Sequence, residues 1–241
     1  MDETNQVYGE LDMMESFKPE NTARMIKMQM LPEGVSLSSL LTAEQLERLN
    51  ALLLEVMGAN LNDEAFAAQI DKMTPVTLAT TLSLTSHIKN CPSFNAMDLI
   101  DSYFQKVALQ NGKTIKGLET VDFQMEILYG APLEKQVEDL MCTVDTFKDV
   151  MEIDNRITTA YFTQDMQLIE EVFEEESVIN CSSPEDEDIL IYNRNRNWVE
   201  VMPAIMAEQP TLFAVGAGHL CGEQGVLKLL EQAGYTIEGV K

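Results

Sequence analysis

Thr211-Leu-Phe-Ala-Val-Gly-Ala-Gly-His-Leu-Cys-Gly-Glu-Gln-Gly225 reads as an apolar strand that stops at a pair of glycines and passes into a helix, with His219 at the crossing. Glycine has no Cβ, so a strand ending there can bring backbone and side chain close to a small ligand or a metal ion. His87 is the only other histidine of the chain, and imidazole chemistry therefore begins at His219. From this stretch the last residues read as a strand-helix-strand unit. Thr211 to Val215 is the first strand, Gly225 to Ala233 the helix stopped by Gly234, and Gly234 to Gly239 a returning strand. Such a unit makes a crossover between parallel strands, which predicts an at least partly parallel sheet.

Working outward, two further strands are predicted. Gln6-Val-Tyr-Gly-Glu-Leu-Asp12 alternates, with Val7, Gly9 and Leu11 on one face and Tyr8, Glu10 and Asp12 on the other. Lys113-Thr-Ile-Lys-Gly-Leu-Glu-Thr120 is a turn and short strand ending at Glu119, followed by a helix over Val121 to Tyr129. Between them, residues 19 to 112 read as helical. Thr42-Ala-Glu-Gln45 is a capping box ahead of the ladder Leu46, Leu49, Leu52, Leu53 and Val56, and Gly58 is its stop. Asn62-Asp-Glu-Ala, Thr74-Pro-Val and Asn95-Ala-Met-Asp98 open three more helices. Beyond Glu119, helices are expected over 132 to 151, 153 to 163 and 166 to 173. Ser182-Ser-Pro-Glu-Asp-Glu-Asp188 caps a long helix over Ile189 to Met206. The expected fold is α/β: a small mixed, partly parallel sheet in one unit over 1–241, with a mainly helical insertion at about 19–112.

Asp and Glu outnumber Lys and Arg by 40 to 16, for a formal charge of -24 over 241 residues. That field repels phosphate backbones and anionic lipid headgroups and excludes a nucleic-acid binder, while divalent cations and basic peptides meet no such barrier. Cys91, Cys142, Cys181 and Cys221 form no CxxC pair, so no zinc ribbon or dithiol motif is written here, and they read as buried or incidental thiols. Cys221, two residues after His219, reads as a packing thiol rather than a nucleophile. No apolar run of about 18 residues is present, and Met1-Asp-Glu-Thr lacks the basic and apolar regions of a secretory signal. Met25, Met28 and Met30 cluster on one early segment, as core filler or as a flexible surface for peptides. His87, late in a helix, reads as structural.

A polar side chain recurs at the carboxyl end of each predicted strand: Glu10 or Asp12 on the first, Glu119 on the second and His219 on the third. In open α/β sheets those ends share one edge, where ligands bind. Two carboxylates and an imidazole suit a divalent ion such as Mn, Zn or Co, which acidifies water for hydrolysis; solvated or salt-bridged strand-end glutamates are the competing reading. The Gly216-x-Gly218 and Gly222 spacing departs from a dinucleotide turn, and too little chain follows for a nucleotide-binding half.

The segment from Phe213 to Ile237 closely resembles the C-terminal GxxH block of the TraB/GumN/Tiki family, and Gly216-Ala-Gly-His219 matches the second of its two GxxH motifs. Lys116-Gly-Leu-Glu-Thr120 resembles its internal GLET-like segment. Arg196-Asn-Trp-Val-Glu-Val-Met202 resembles its Arg-Asn helix, and Val7-Tyr-Gly-Glu-Leu-Asp12 the strand bearing its conserved acid. The resemblance implies a metal-dependent hydrolase, a peptidase acting on a peptide or protein. Glu10 and His219 would be metal ligands, Glu119 a further ligand or general base, and Arg196 a group that orients a substrate carbonyl or carboxylate. It also implies an exported parent protein, as in bacterial members, and a first GxxH strand ahead of Glu10. The chain has no such motif: Leu84 stands three residues before His87, in a helical pattern. The expectation is an impaired enzyme, or a non-catalytic peptide- or protein-binding module. The unpaired sheet edge left by the missing strand could be covered by a second copy.

Overall fold

The computed structural model describes residues 3–95, 99–179 and 183–240, without the side chains of 176–179. Three four-residue strands, β1 (Gln6–Gly9), β2 (Thr114–Gly117) and β3 (Thr211–Ala214), form one sheet in the order β2-β1-β3. Both pairings are parallel, Gly9 lying opposite Gly117 on one side and Ala214 on the other. Parallel neighbours need crossovers, and here these are long and helical. One spans residues 13 to 110 and the other 121 to 208, so the sheet is a small seam inside a mainly helical molecule.

The two faces read along the first strand do not differ in burial within β1. All four residues of β1 are buried, because β1 is the central strand and is covered on both faces. Tyr8 packs against the Phe213 ring, 5.8 Å between centroids, with the Lys116 ammonium over it.

The helical crossover follows its sequence signals closely. Thr42 and Gln45 form the capping box of helix Ala43–Met57, and Gly58 ends it in the left-handed conformation. Asp63 caps Glu64–Ile70, and Pro75–Asn90 begins on the proline after Thr74. Leu49, Leu53, Leu78 and Leu82 meet Leu140 and Phe147 of a later helix in one buried cluster. His87 is structural: its Nδ1 lies 2.7 Å from Asp154 Oδ2 and its ring meets Phe94 edge-on. The helix start read at Asn95-Ala-Met-Asp98 falls largely outside the described residues, and the helix itself runs Ile100–Gln110.

Several boundaries differ from expectation, the helix read over 166 to 173 running Met166–Ile179. The helices read over 132 to 151 and 153 to 163 are one 31-residue helix, Leu133–Thr163. No glycine or proline interrupts it, and the buried side chains Leu140, Phe147, Ile153 and Ala160 recur every two turns along its length. The helix read from Ile189 opens instead as a π-helical turn, Asp188–Tyr192, before Asn193–Glu208. The returning strand at 234 to 239 does not form: Ile237 docks onto Trp198, Met202 and Val226, and no ladder reaches this segment. Cys142 is disulfide-bonded rather than an incidental thiol, while Cys91 and Cys221 are free. Among the described residues no helix is long and apolar enough to cross a membrane.

Candidate functional site

Parallel register brings the three strand ends together. Past the last paired residues the β1–β2 ladder continues, with the Glu119 amide donating to the Glu10 carbonyl at 2.9 Å. The two acidic residues are thus neighbours across the seam. Gly117 permits this closeness: a Cβ there would lie 2.7 Å from the Glu119 carbonyl and 2.8 Å from the Asp12 nitrogen. On the other side the chain leaves β3 and reaches Gly216, whose amide donates to Glu10 Oε1 at 2.8 Å. A short 3-10 turn over Ala217–His219 then directs the imidazole inward, where it is buried.

The fourth element is helix Asn193–Glu208, whose inner face carries Arg194, Asn195, Trp198 and Met202, all buried. Arg194 is the hub. Its Nε and Nη2 grip Glu119 Oε1 and Oε2 as a fork, both at 2.9 Å. Nη2 also reaches Glu10 Oε2 at 2.6 Å, and Nη1 donates to the Leu190 carbonyl of the π-helical turn at 2.9 Å. The remaining Nη1 hydrogen faces His219 Nε2 at 3.1 Å. A guanidinium has five N–H bonds, and here each has an acceptor. Trp198 lies under the guanidinium and beside the imidazole, and its Nε1 donates to Glu119 Oε1 at 2.9 Å. Gln124 donates to both carboxylates, at 3.2 Å to Glu10 and 3.1 Å to Glu119.

These contacts assign the His219 tautomer. The Asn195 amide nitrogen donates to the Gln224 carbonyl at 2.8 Å, which turns its oxygen toward His219 Nδ1 at 2.7 Å. Nδ1 therefore carries the proton, and Nε2 offers its lone pair to Arg194. Burial pushes the His219 pKa down to about 4; Glu10 opposes that and Arg194 reinforces it, so the ring is neutral at pH 7. Burial works against the Glu10 charge, but the Gly216 amide and Arg194 outweigh it and hold the carboxyl below its usual range. Asp101 is pushed the other way, by burial and by the nearby Glu10 charge. Beside Glu119 a cleft of about 260 Å³ opens between Asp12, Glu15, Asn21 and Asp122.

Of the residues singled out from sequence, Glu10, Glu119 and His219 converge on this one edge. Arg196 does not join them. Half-exposed, it turns outward to Asp188, Asn193 and Gln224. Cys221 Sγ donates to the Ala217 carbonyl at 3.4 Å, and burial and Glu170 raise its pKa, which disfavours a thiolate nucleophile. Arg194, Asn195, Trp198 and Gln124 were not read from the sequence. A signal for three of them was present: Trp198 and Met202 mark an inner helical stripe, Arg194 lies one turn before Trp198 on it, and Asn195 adjoins it.

As a divalent-metal cradle this donor set does not fit as arranged. The Arg194 guanidinium fills the space between imidazole and carboxylates that an ion would need. Among the described residues no three His, Cys, Asp or Glu side chains are grouped to hold a metal ion.

Comparison with known proteins agrees with the resemblance at the strand ends. The chain is 24% identical to the zebrafish (Danio rerio) protein named Metalloprotease TIKI2, covering 98% of this chain and 52% of that protein. It is also 24% identical to a Metalloprotease TIKI homolog of Nematostella vectensis, covering 99% of this chain and 59% of the relative. A shorter match, 35% identical over 51 residues, joins it to a Metalloprotease TIKI homolog of Amphimedon queenslandica, covering 20% of this chain and 10% of the relative. The chain thus spans about half the length of the two relatives it matches throughout. No solved structure matches it significantly. The model of the TraB/PrgY/gumN family matches residues 1–239, and the chain belongs to that family.

Proposed function

We propose that this chain carries the strand-end site of a hydrolase, a peptidase of the metalloprotease type named among its relatives, in a form impaired for metal-dependent chemistry. The observation that carries the reading is the convergence of Glu10, Glu119 and His219, drawn from three separate strand ends, on one buried, fully hydrogen-bonded cluster. Concentrating charge away from water carries a desolvation cost, and such clusters gather at functional sites. In this arrangement Glu10 and Glu119 are the acidic groups, and Arg194, not Arg196, is suited to orient a substrate carbonyl or carboxylate. Arg194 and Trp198 hold Glu119, while Asn195 holds His219 in its Nδ1–H form. A neutral imidazole whose lone pair already accepts from Arg194 is a weak proton acceptor, which supports the impaired reading. The disulfide at Cys142 favours an oxidising compartment, as an exported parent protein would occupy.

The test is a peptide library incubated with the chain and read by mass spectrometry. We expect slow cleavage that disappears in Glu10→Gln and in Glu119→Gln. Cleavage unaltered by both substitutions, or no cleavage at all, contradicts a hydrolytic role.

One observation favours a second reading, a peptide- or protein-binding module. Met25, Ile26 and Met30 are exposed along one early segment, and Phe17, Phe123 and Leu128 are exposed on the neighbouring helices. Partner binding that survives simultaneous replacement of Glu10, Glu119 and His219 would support it.

A further inference from the structure

Two negative side chains and a neutral imidazole lone pair converge at the strand ends, and something positive must sit among them. In this molecule it is the guanidinium of Arg194. All five of its N–H bonds are taken, by both oxygens of Glu119, by Glu10 Oε2, by His219 Nε2 and by the Leu190 carbonyl. No buried side-chain donor or acceptor among the described residues is left without a partner. A cluster satisfied in this way has no vacancy that draws in a second cation, and a divalent ion entering beside Arg194 would meet its charge at close range. The acceptors nevertheless lie at separations that a smaller ion could bridge. Nη2 touches both carboxylates, and Glu10 Oε1 is 3.9 Å from the imidazole Nε2. Bonds to zinc are about 2.0–2.2 Å from nitrogen and carboxylate oxygen.

We propose that Arg194 occupies the cation position of this site. The cluster is complete without a divalent ion, and Glu10, Glu119 and His219 become a three-ligand metal site when the guanidinium is withdrawn. The inference stands on the contacts of Arg194 and does not depend on the hydrolase reading. Withdrawing the side chain leaves the buried Glu119 carboxylate and the partly buried Glu10 carboxylate beside a free imidazole lone pair, a donor set suited to a borderline divalent ion. In the unaltered chain the exchange must displace a forked ion pair from Glu119 as well as the contact with Glu10.

Trp198 makes the test direct. It is the sole tryptophan, it donates to Glu119, and it lies against both Arg194 and His219, so its fluorescence reports the cluster alone. The chain, Arg194→Met and Arg194→Lys are titrated with zinc, manganese or cobalt chloride, each followed by Trp198 emission and by calorimetry. Each is then repeated with His219→Ala. The expected result is no His219-dependent binding in the unaltered chain. Arg194→Met should bind at least about tenfold more tightly, a difference of about 1.4 kcal/mol, and lose that gain with His219→Ala. Arg194→Lys, whose ammonium has three donors and no fork, should fall between. Should Arg194→Met fail to fold, Arg194→Lys carries the comparison. Saturable metal binding by the unaltered chain that His219→Ala abolishes overturns the proposal. So does a folded Arg194 variant that binds no more tightly than the unaltered chain. Metal binding by the unaltered chain would leave the hydrolase reading standing, so the two can fail separately.

Discussion

Replacing Glu119 with alanine should unfold the molecule at a much lower denaturant concentration. Its carboxylate is 5% exposed and holds two N–H bonds of Arg194, the indole N–H of Trp198 and the Gln124 amide. Removing one partner of a buried ion pair costs about 3–5 kcal/mol, because the surviving charge is left unpaired. Here Arg194 keeps Glu10, which argues for the lower end. The stranded indole N–H of Trp198, 1% exposed, adds about 1 kcal/mol more. The sum is about 4 kcal/mol, a large part of the stability of an ordinary domain. With a urea slope of about 3 kcal/mol per molar, the midpoint followed by Trp198 fluorescence should fall by about 1.3 M. Glu10→Ala should cost less, since that carboxylate is 24% exposed and water can reach the gap. Arg194→Met combined with Glu119→Ala should cost about 2 kcal/mol less than the two separately, because neither member of that pair is then left facing the other's empty place, and only the partly exposed Glu10 loses a partner. A midpoint shift below about 0.3 M for Glu119→Ala, or strictly additive costs, would refute the view that the pair is a buried, mutually dependent unit.

Other consequences are simpler to read. Gly218→Ala would set a Cβ 2.7 Å from the far end of the Phe173 ring, which is exposed and can turn aside, so the cost should stay below about 1 kcal/mol; a larger loss that Phe173→Ala returns would show instead that the ring is held in place. The pH dependence of stability should also carry the mark of His219. Its folded pKa of about 4 lies below the usual histidine value of 6.5, so between those values the unfolded chain binds more protons. Stability is therefore retained above pH 6.5 and lost as the pH falls toward 4, by about 3 kcal/mol in all. Glu10, also depressed, adds to the loss at the acid end. Urea midpoints between pH 7 and 4 should thus fall more steeply in the unaltered chain than in His219→Gln, and equal slopes would count against a buried neutral ring.

Where local chemistry decides structure, the sequence was readable. Thr42 and Gln45 cap, Gly58 and Gly234 stop, and the leucine ladder buries, because each depends on neighbours within a turn or two. The meeting of Glu10, Glu119 and His219 also followed, since strand ends share an edge once strands pair in parallel, although the crossover over 211 to 239 from which a parallel sheet was read does not form. What could not be read depends on distant partners. Val7 and Tyr8 read as opposite faces of one strand, and that both are buried depends on elements far along the chain that cover each side. Thr236-Ile237 looks like a strand, yet Ile237 finds a better apolar seat on the helix carrying Trp198. Between Arg194 and Arg196, two residues apart on one helix, only the stripe through Trp198 and Met202 indicates which points inward.

The most direct test is the imidazole of His219, followed by nitrogen-15 NMR, which a chain with only two histidines makes simple to assign through His87→Gln. The account predicts a neutral Nδ1–H ring at pH 7, with Nε2 accepting from Arg194 and protonation delayed to about pH 4. An Nε2–H ring, or one that charges near the usual histidine value of 6.5, would mean that Arg194 does not sit at the centre of this site.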